Sequence, residues 1–129
     1  MDKVVVSIQN GLLSEAIIKM LNESGEFEPY RAAIGMRKSE IVECCEMLSP
    51  DLVLAEVAYS YTTSVASRMR EAREIRKRVP SCKIVFLCDE HTSPEIARQV
   101  TQAKKDGLID NFFYSSVTAR YLLAALLAM

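Results

Sequence analysis

Glu56 stands at the far end of an apolar run, "PDLVLAEV", in which Leu52, Val53 and Leu54 precede it. A carboxylate delivered this way does chemistry only if partners arrive from elsewhere in the chain. Cys88 and Asp89 are two candidates, ending a second apolar run, "CKIVFLCD", and Gln9 follows a third, "KVVVSI". Glu56, Asp89 and a Gln9 oxygen make a thin donor set for a divalent cation, which wants six or more oxygens. An empty or water-filled pocket is the expectation, with no metal. Cys88 would be a reactive thiol only beside a cation or a helix N-terminus. Beside Asp89 it is expected to be inert, and His91 in the following loop is expected to be solvated.

The remaining cysteines, Cys44, Cys45 and Cys82, form no Cys-x-x-Cys pair, and His91 is the only histidine. Zinc-ligand spacing is absent. The four thiols read as small core hydrophobes.

The elements that carry these residues alternate. "KVVVSI" (3 to 8) is a β-branched run suited to a strand buried on both faces. Leu12, Leu13, Ala16, Ile17, Met20 and Leu21 recur at helical spacing, and "ESGEFEP" ends that helix. The next strand is expected around Arg31 to Met36, followed by a helix capped by Ser39 that carries Ile41, Val42, Cys45 and Leu48. A strand over 51 to 57 follows, then a helical stripe of Val65, Met69, Ala72, Ile75 and Val79, stopped by Pro80. "CKIVFLCD" (82 to 89) is a fourth strand. "TSPE" starts a helix with Thr92 as its cap, running to Gly107. "IDNFFY" (109 to 114) is a fifth strand, and Ser116 is expected to cap a last helix.

Strand and helix alternate five times, which predicts one α/β domain over residues 1–129. The sheet is a doubly wound, five-stranded parallel sheet, a flavodoxin-like (βα)5 three-layer sandwich. In such folds sites lie beyond the C-terminal ends of the strands. Those tips bring together Ile8, Gln9, Glu56, Cys88, Asp89, Ser115 and Ser116.

Composition narrows the function classes. A net charge of -1 gives no general pull toward nucleic acid or an anionic membrane. The longest apolar run, "YLLAALLAM", is far short of the roughly 20 residues of a membrane-spanning helix. With no secretory leader in view, a cytoplasmic protein is expected. The one basic concentration, "RMREAREIRKR", reads as a solvated helix face with Glu71 and Glu74 interleaved. The last helix, "ARYLLAALLAM", carries a single charge and is apolar on every face, more than one stripe against a core requires. Tyr121, Leu123, Leu126 and Leu127 are therefore the candidate contact residues for a second copy or a partner protein.

The length, the five-fold alternation and the "PDLVL" start of the third strand resemble the receiver domains of bacterial two-component response regulators. The resemblance covers the whole chain. "PDLVLAEV" is similar to that family's "PDLVLLD" pattern, and "DNFFYSS" to its "DDFLTKP" pattern. The family's site holds Mg²⁺ on an acidic pair and phosphorylates an aspartate, with a Ser or Thr and a Lys contacting the phosphoryl oxygens. Carried over, the acidic pair falls at Ile8 and Gln9, the acceptor at Glu56, the hydroxyl at Cys88 and the lysine at Ser115. Phe112 keeps the switch aromatic.

A glutamate carboxyl reaches about 1.5 Å further than an aspartate, and displacements of that order impair aligned transfer. The resemblance therefore implies a degenerate receiver, a signalling interaction module working without conventional Asp phosphorylation and without cofactor or enzymatic activity. Glu56 is either a fixed stand-in for the phosphorylated state or a carboxylate that is solvated or capped by backbone N–H groups. Partners would meet the last helix, and nucleic acid would be reached only through an output domain or a separate regulator. The alternatives are a flavodoxin-like small-molecule or redox domain, against which no Gly-x-Gly-x-x-Gly turn follows the first strand, and a receiver phosphorylated by an unusual route at Glu56.

Overall fold

The computed structural model describes residues 1–32, 40–58, 63–89 and 91–129. Among these, strands and helices alternate as β1 (Asp2–Ser7), α1 (Gly11–Ser24), β2 (Phe27–Arg31), α2 (Glu40–Leu48), β3 (Leu52–Val57), α3 (Val65–Arg78), β4 (Lys83–Cys88), α4 (Pro94–Lys105), β5 (Asn111–Tyr114) and α5 (Ala119–Leu127). The five strands form one sheet in the order β2-β1-β3-β4-β5, every pair parallel.

Side-chain alternation splits the core into two layers. Val5, Val53, Ala55, Ile84 and Phe86 face α2, α3 and α4, while Val4, Val6, Leu52, Leu54 and Leu87 face α1 and α5. Central strands buried on both faces explain the unbroken apolar runs of β1, β3 and β4.

Helix ends follow local chemistry. The Asn10 side chain accepts from the Leu13 N–H and caps α1, which Gly25 closes at φ 72°, a left-handed conformation that favours glycine. Two caps differ from expectation by one or two residues. Ser93 caps α4, while the Thr92 hydroxyl donates to the Asp89 carbonyl. Thr118, not Ser116, caps α5 by accepting from the Tyr121 N–H.

The larger correction concerns β2, which begins at Phe27 rather than near Arg31. "FEP" looked like a helix terminator, but Phe27 is buried and Pro29 sits on an edge strand, where a missing N–H is tolerated. Residues 33 to 36 of the expected span, and the proposed cap Ser39, lie outside the described residues.

The N-terminal ends of the strands present unpaired N–H groups, and carboxylates meet them. Asp51 accepts from the Lys3 N–H (2.8 Å) and Asp110 from the Ile84 N–H (2.7 Å). Arg76 clasps that Asp110 at 2.6 Å and also donates to the carbonyls of Leu108 and Cys82. This helix face is therefore not simply solvated, as its charge pattern suggested.

Candidate functional site

The parallel register sets the C-terminal tips side by side. Ser7 pairs with Ala55, Glu56 with Leu87, Val57 with Cys88, and Cys88 with Tyr114. The Asp89 N–H continues the ladder to the Val57 carbonyl, and the Ser115 N–H continues it to the Cys88 carbonyl at 2.8 Å. Ile8, Gln9, Glu56, Cys88, Asp89 and Ser115 thus all belong to one edge of the sheet, as the alternation of elements predicted.

Their environments differ. Ile8 is 1% exposed and packs in the α1/α5 layer. Gln9 is exposed, and its backbone N–H donates to Glu56 Oε1 at 2.8 Å. The Glu56 side chain is half-buried and bridges from β3 to the chain leaving β1, a charge-assisted hydrogen bond. Backbone capping is one of the readings of Glu56 that the sequence allows, and a cap from the loop that follows its own strand would be the local form of it. The donor instead lies at the tip of the neighbouring strand.

Cys88 is buried, and desolvation pushes its thiol up to about 12. Burial, rather than the adjacent carboxylate, is what disfavours its thiolate. Cys82 is pushed up to about 12 by the same cause, Cys45 higher still, and half-buried Cys44 upward as well. The Asp89 carboxylate turns back to accept from the His91 N–H at 2.7 Å. Phe112 is half-buried against the α2–α4 layer, with Tyr114 edge-on at 6.1 Å and the Lys104 ammonium 6.0 Å from its ring centre.

Sequence reasoning missed the arginine under these tips. Arg68, in the first turns of α3, is 2% exposed. Its Nε donates to the Glu56 carbonyl at 2.7 Å, its Nη2 to the Ser7 carbonyl at 2.9 Å, and its Nη1 to Ser7 Oγ at 3.0 Å. Nη1 also lies 3.1 Å from Glu71 Oε1. Burial lowers the Arg68 guanidinium below its ordinary value, opposed by the charges of Glu71 and Glu56, and burial raises the Glu71 carboxyl, opposed by Arg68. A signal for Arg68 existed. It stands four residues before Ala72, seven before Ile75 and eleven before Val79, in one helical stripe with residues the sequence already assigned to the core.

The donor set does not fit a Mg²⁺ site. Where one carboxylate is needed there is a buried isoleucine, Glu56 is engaged with a backbone N–H, and Asp89 is folded onto its own loop. Among the described residues no group of three or more His, Cys, Asp or Glu side chains is placed to hold a metal ion.

The last helix divides into two faces. Leu122 and Leu126 are buried in the α1/α5 layer, and Leu123 is half-buried against it. Leu126 is thus a core residue rather than a contact residue. Tyr121 at 58% exposure and Leu127 at 49% remain outside, with Phe113 edge-on to Tyr121 at 6.2 Å.

Five parallel strands in this order, with two helices on one face and three on the other, are the receiver fold of response regulators. No family model and no curated protein matches the sequence. Solved structures do. The chemotaxis protein CheY4 of Vibrio cholerae is 18% identical, with a TM-score of 0.76 over 99% of this chain and 98% of its own. The signal receiver domain of the response regulator NarL from Mycobacterium tuberculosis is also 18% identical, with a TM-score of 0.74 over 98% and 94%. A protein named as an adenylate cyclase, from Rhodopirellula baltica, is 13% identical, with a TM-score of 0.77 over 98% and 85%. Likeness at these identities is a likeness of fold. Among the described residues no helix is long and apolar enough to cross a membrane.

Proposed function

We propose that this chain is a receiver-type signalling module that works through protein contacts and does not accept a phosphoryl group at Glu56. The observation that carries the reading is the engagement of Glu56 itself. Its carboxylate is tied to the Gln9 N–H, its carbonyl to Arg68, and Ile8 fills the adjacent position with hydrocarbon. Transfer of a phosphoryl group needs its developing charge neutralised at the reacting oxygens. By the resemblance, Ile8 and Gln9 stand where the acidic pair would be and Ser115 where the lysine would be.

In this reading the chain is not an enzyme and acts in the cytoplasm as a single domain, alone or joined to an output domain. The exposed apolar face of α5, with Tyr121 and Leu127, pairs with a second copy or a partner protein. Nucleic acid would be reached only through that output. Intact-mass spectrometry with light scattering tests the whole reading, with and without Mg²⁺ and acetyl phosphate. The expected result is an unchanged mass and an oligomeric state indifferent to both additions. A mass increase of one phosphoryl group, lost in Glu56→Gln, would overturn it.

A further inference from the structure

Beyond its C-terminal edge a parallel sheet leaves carbonyl oxygens unpaired, and each buried one requires a donor. At the tips of β1 and β3 a single side chain supplies them. Arg68 directs its guanidinium at the Ser7 carbonyl, Ser7 Oγ, the Glu56 carbonyl and Glu71 Oε1, all within 3.1 Å. Four oxygens drawn from β1, β3 and α3 surround one enclosed positive charge. That resembles the coordination shell of a hard cation more than it resembles a surface ion pair. Arg68 carries no solvated face, and the charge of Glu56 also favours its charged form.

We propose that Arg68 is the resident cation of this strand-end site. Anchored in α3, it ties the strand tips together through the Ser7 and Glu56 carbonyls, with its charge met by Glu71 Oε1, while the Glu56 carboxylate accepts from the Gln9 N–H. The assignment rests on the reading of Glu56 as a residue that is not phosphorylated. The arrangement around Glu56 is then set by the chain alone and is independent of added divalent ions.

Arg68→Ala tests this, because it leaves the four oxygens around a space shaped like a guanidinium. Removing one partner of a buried pair strands the other, so Tm is expected to fall by roughly 10–20 °C. Millimolar methylguanidinium should restore a large part of that loss, while sodium chloride at equal concentration should not. Neither should shift the native protein.

The backbone amide of Gln9 gives a second readout. It bonds to Glu56 rather than to Arg68, so its NMR resonance should move in the variant and return on rescue, which loss of packing alone would not produce. Arg68→Met keeps the volume and should lose stability without rescue. A folded Arg68→Ala indifferent to methylguanidinium would overturn the proposal. If Arg68→Ala does not fold, an Arg68→Met as stable as the native protein with an unmoved Gln9 amide would overturn it. Acyl phosphate on the native chain would sink the functional reading while leaving the rescue result standing. Failed rescue without acyl phosphate would sink only the role of Arg68.

Discussion

At the tips of β1 and β3, polar groups are drawn inward and paired. Arg68 meets two carbonyls and a hydroxyl, Glu71 meets Arg68, and Glu56 meets the Gln9 N–H. At the tips of β4 and β5, the buried group is the thiol of Cys88, and the Asp89 carboxylate turns onto its own loop. In the receiver pattern that the sequence resembles, the positive charge comes from the β5 side. Among the described residues here, the buried positive charge bonded to the tips of β1 and β3 comes from α3. If Arg68 is the resident cation, the charge that organises the tips of β1 and β3 approaches from α3 rather than from the β5 side.

The comparison breaks most violently at Ile8. Ile8→Asp puts a carboxylate where the resemblance sets the acidic pair, but places it in the α1/α5 layer among Val6, Ile17 and Leu54. An unpaired buried charge of this kind should cost ~3–5 kcal/mol. Ser115→Lys, which puts a lysine where the resemblance sets one, falls on the half-buried residue just after β5 and should change stability by about 1 kcal/mol or less. Urea denaturation of both variants measures the contrast. Equal losses would mean that the two ends are not differently built.

Glu56→Gln sharpens the same contrast more gently. The amide oxygen still reaches the Gln9 N–H, so a charge-assisted bond becomes an ordinary one, a loss of about 1 kcal/mol. The Gln9 amide should also exchange faster with solvent. Unchanged exchange would mean that the Glu56 charge contributes nothing to holding the two tips together.

How far the sequence revealed this edge depends on which force placed each residue. The strands β1, β3 and β4 were legible because burial on both faces writes an uninterrupted apolar run. β2 was displaced by four residues because an edge strand admits a proline that reads as a terminator. Glu56, Cys88 and Ser115 were legible as strand-tip residues from periodicity alone. Arg68 was not, because its charge pattern with Glu71 and Glu74 is what a solvated helix shows. Only its phase with Ala72, Ile75 and Val79 separated it from Arg70 and Arg73. The partner of Glu56 was hidden for a different reason, since the donor is a backbone group and no residue type announces it.

The thiols supply a test at the other end of the sheet. Cys88 and Cys82 ionise near 12 rather than at the ordinary 9.0, and Cys45 higher, because burial disfavours the thiolate. Between those values the unfolded chain releases protons that the native chain retains. Stability from these groups is therefore complete below about pH 9 and falls as pH rises toward 12. At pH 8, half-buried Cys44 should react first with a disulfide reagent, and the other three should react only as fast as the protein opens. Rapid modification of Cys88 would show that the β4 tip is open to solvent after all.

The smallest effect on stability is expected on α5, where two adjacent leucines separate core from surface. Leu127 is half outside, so Leu127→Glu should change folding stability by about 0.5 kcal/mol or less. Leu126, one residue earlier, is buried against the sheet, and Leu126→Glu should prevent stable folding. Light scattering on Leu127→Glu then separates two explanations of the apolar excess. If Tyr121 and Leu127 form a contact between copies, the native protein is a dimer and this variant is a well-folded monomer. A native monomer unchanged by the substitution would mean that no second copy covers this face, leaving a different protein or a following domain as its partner. Because the core is intact in the variant, a change in assembly would report on the surface alone.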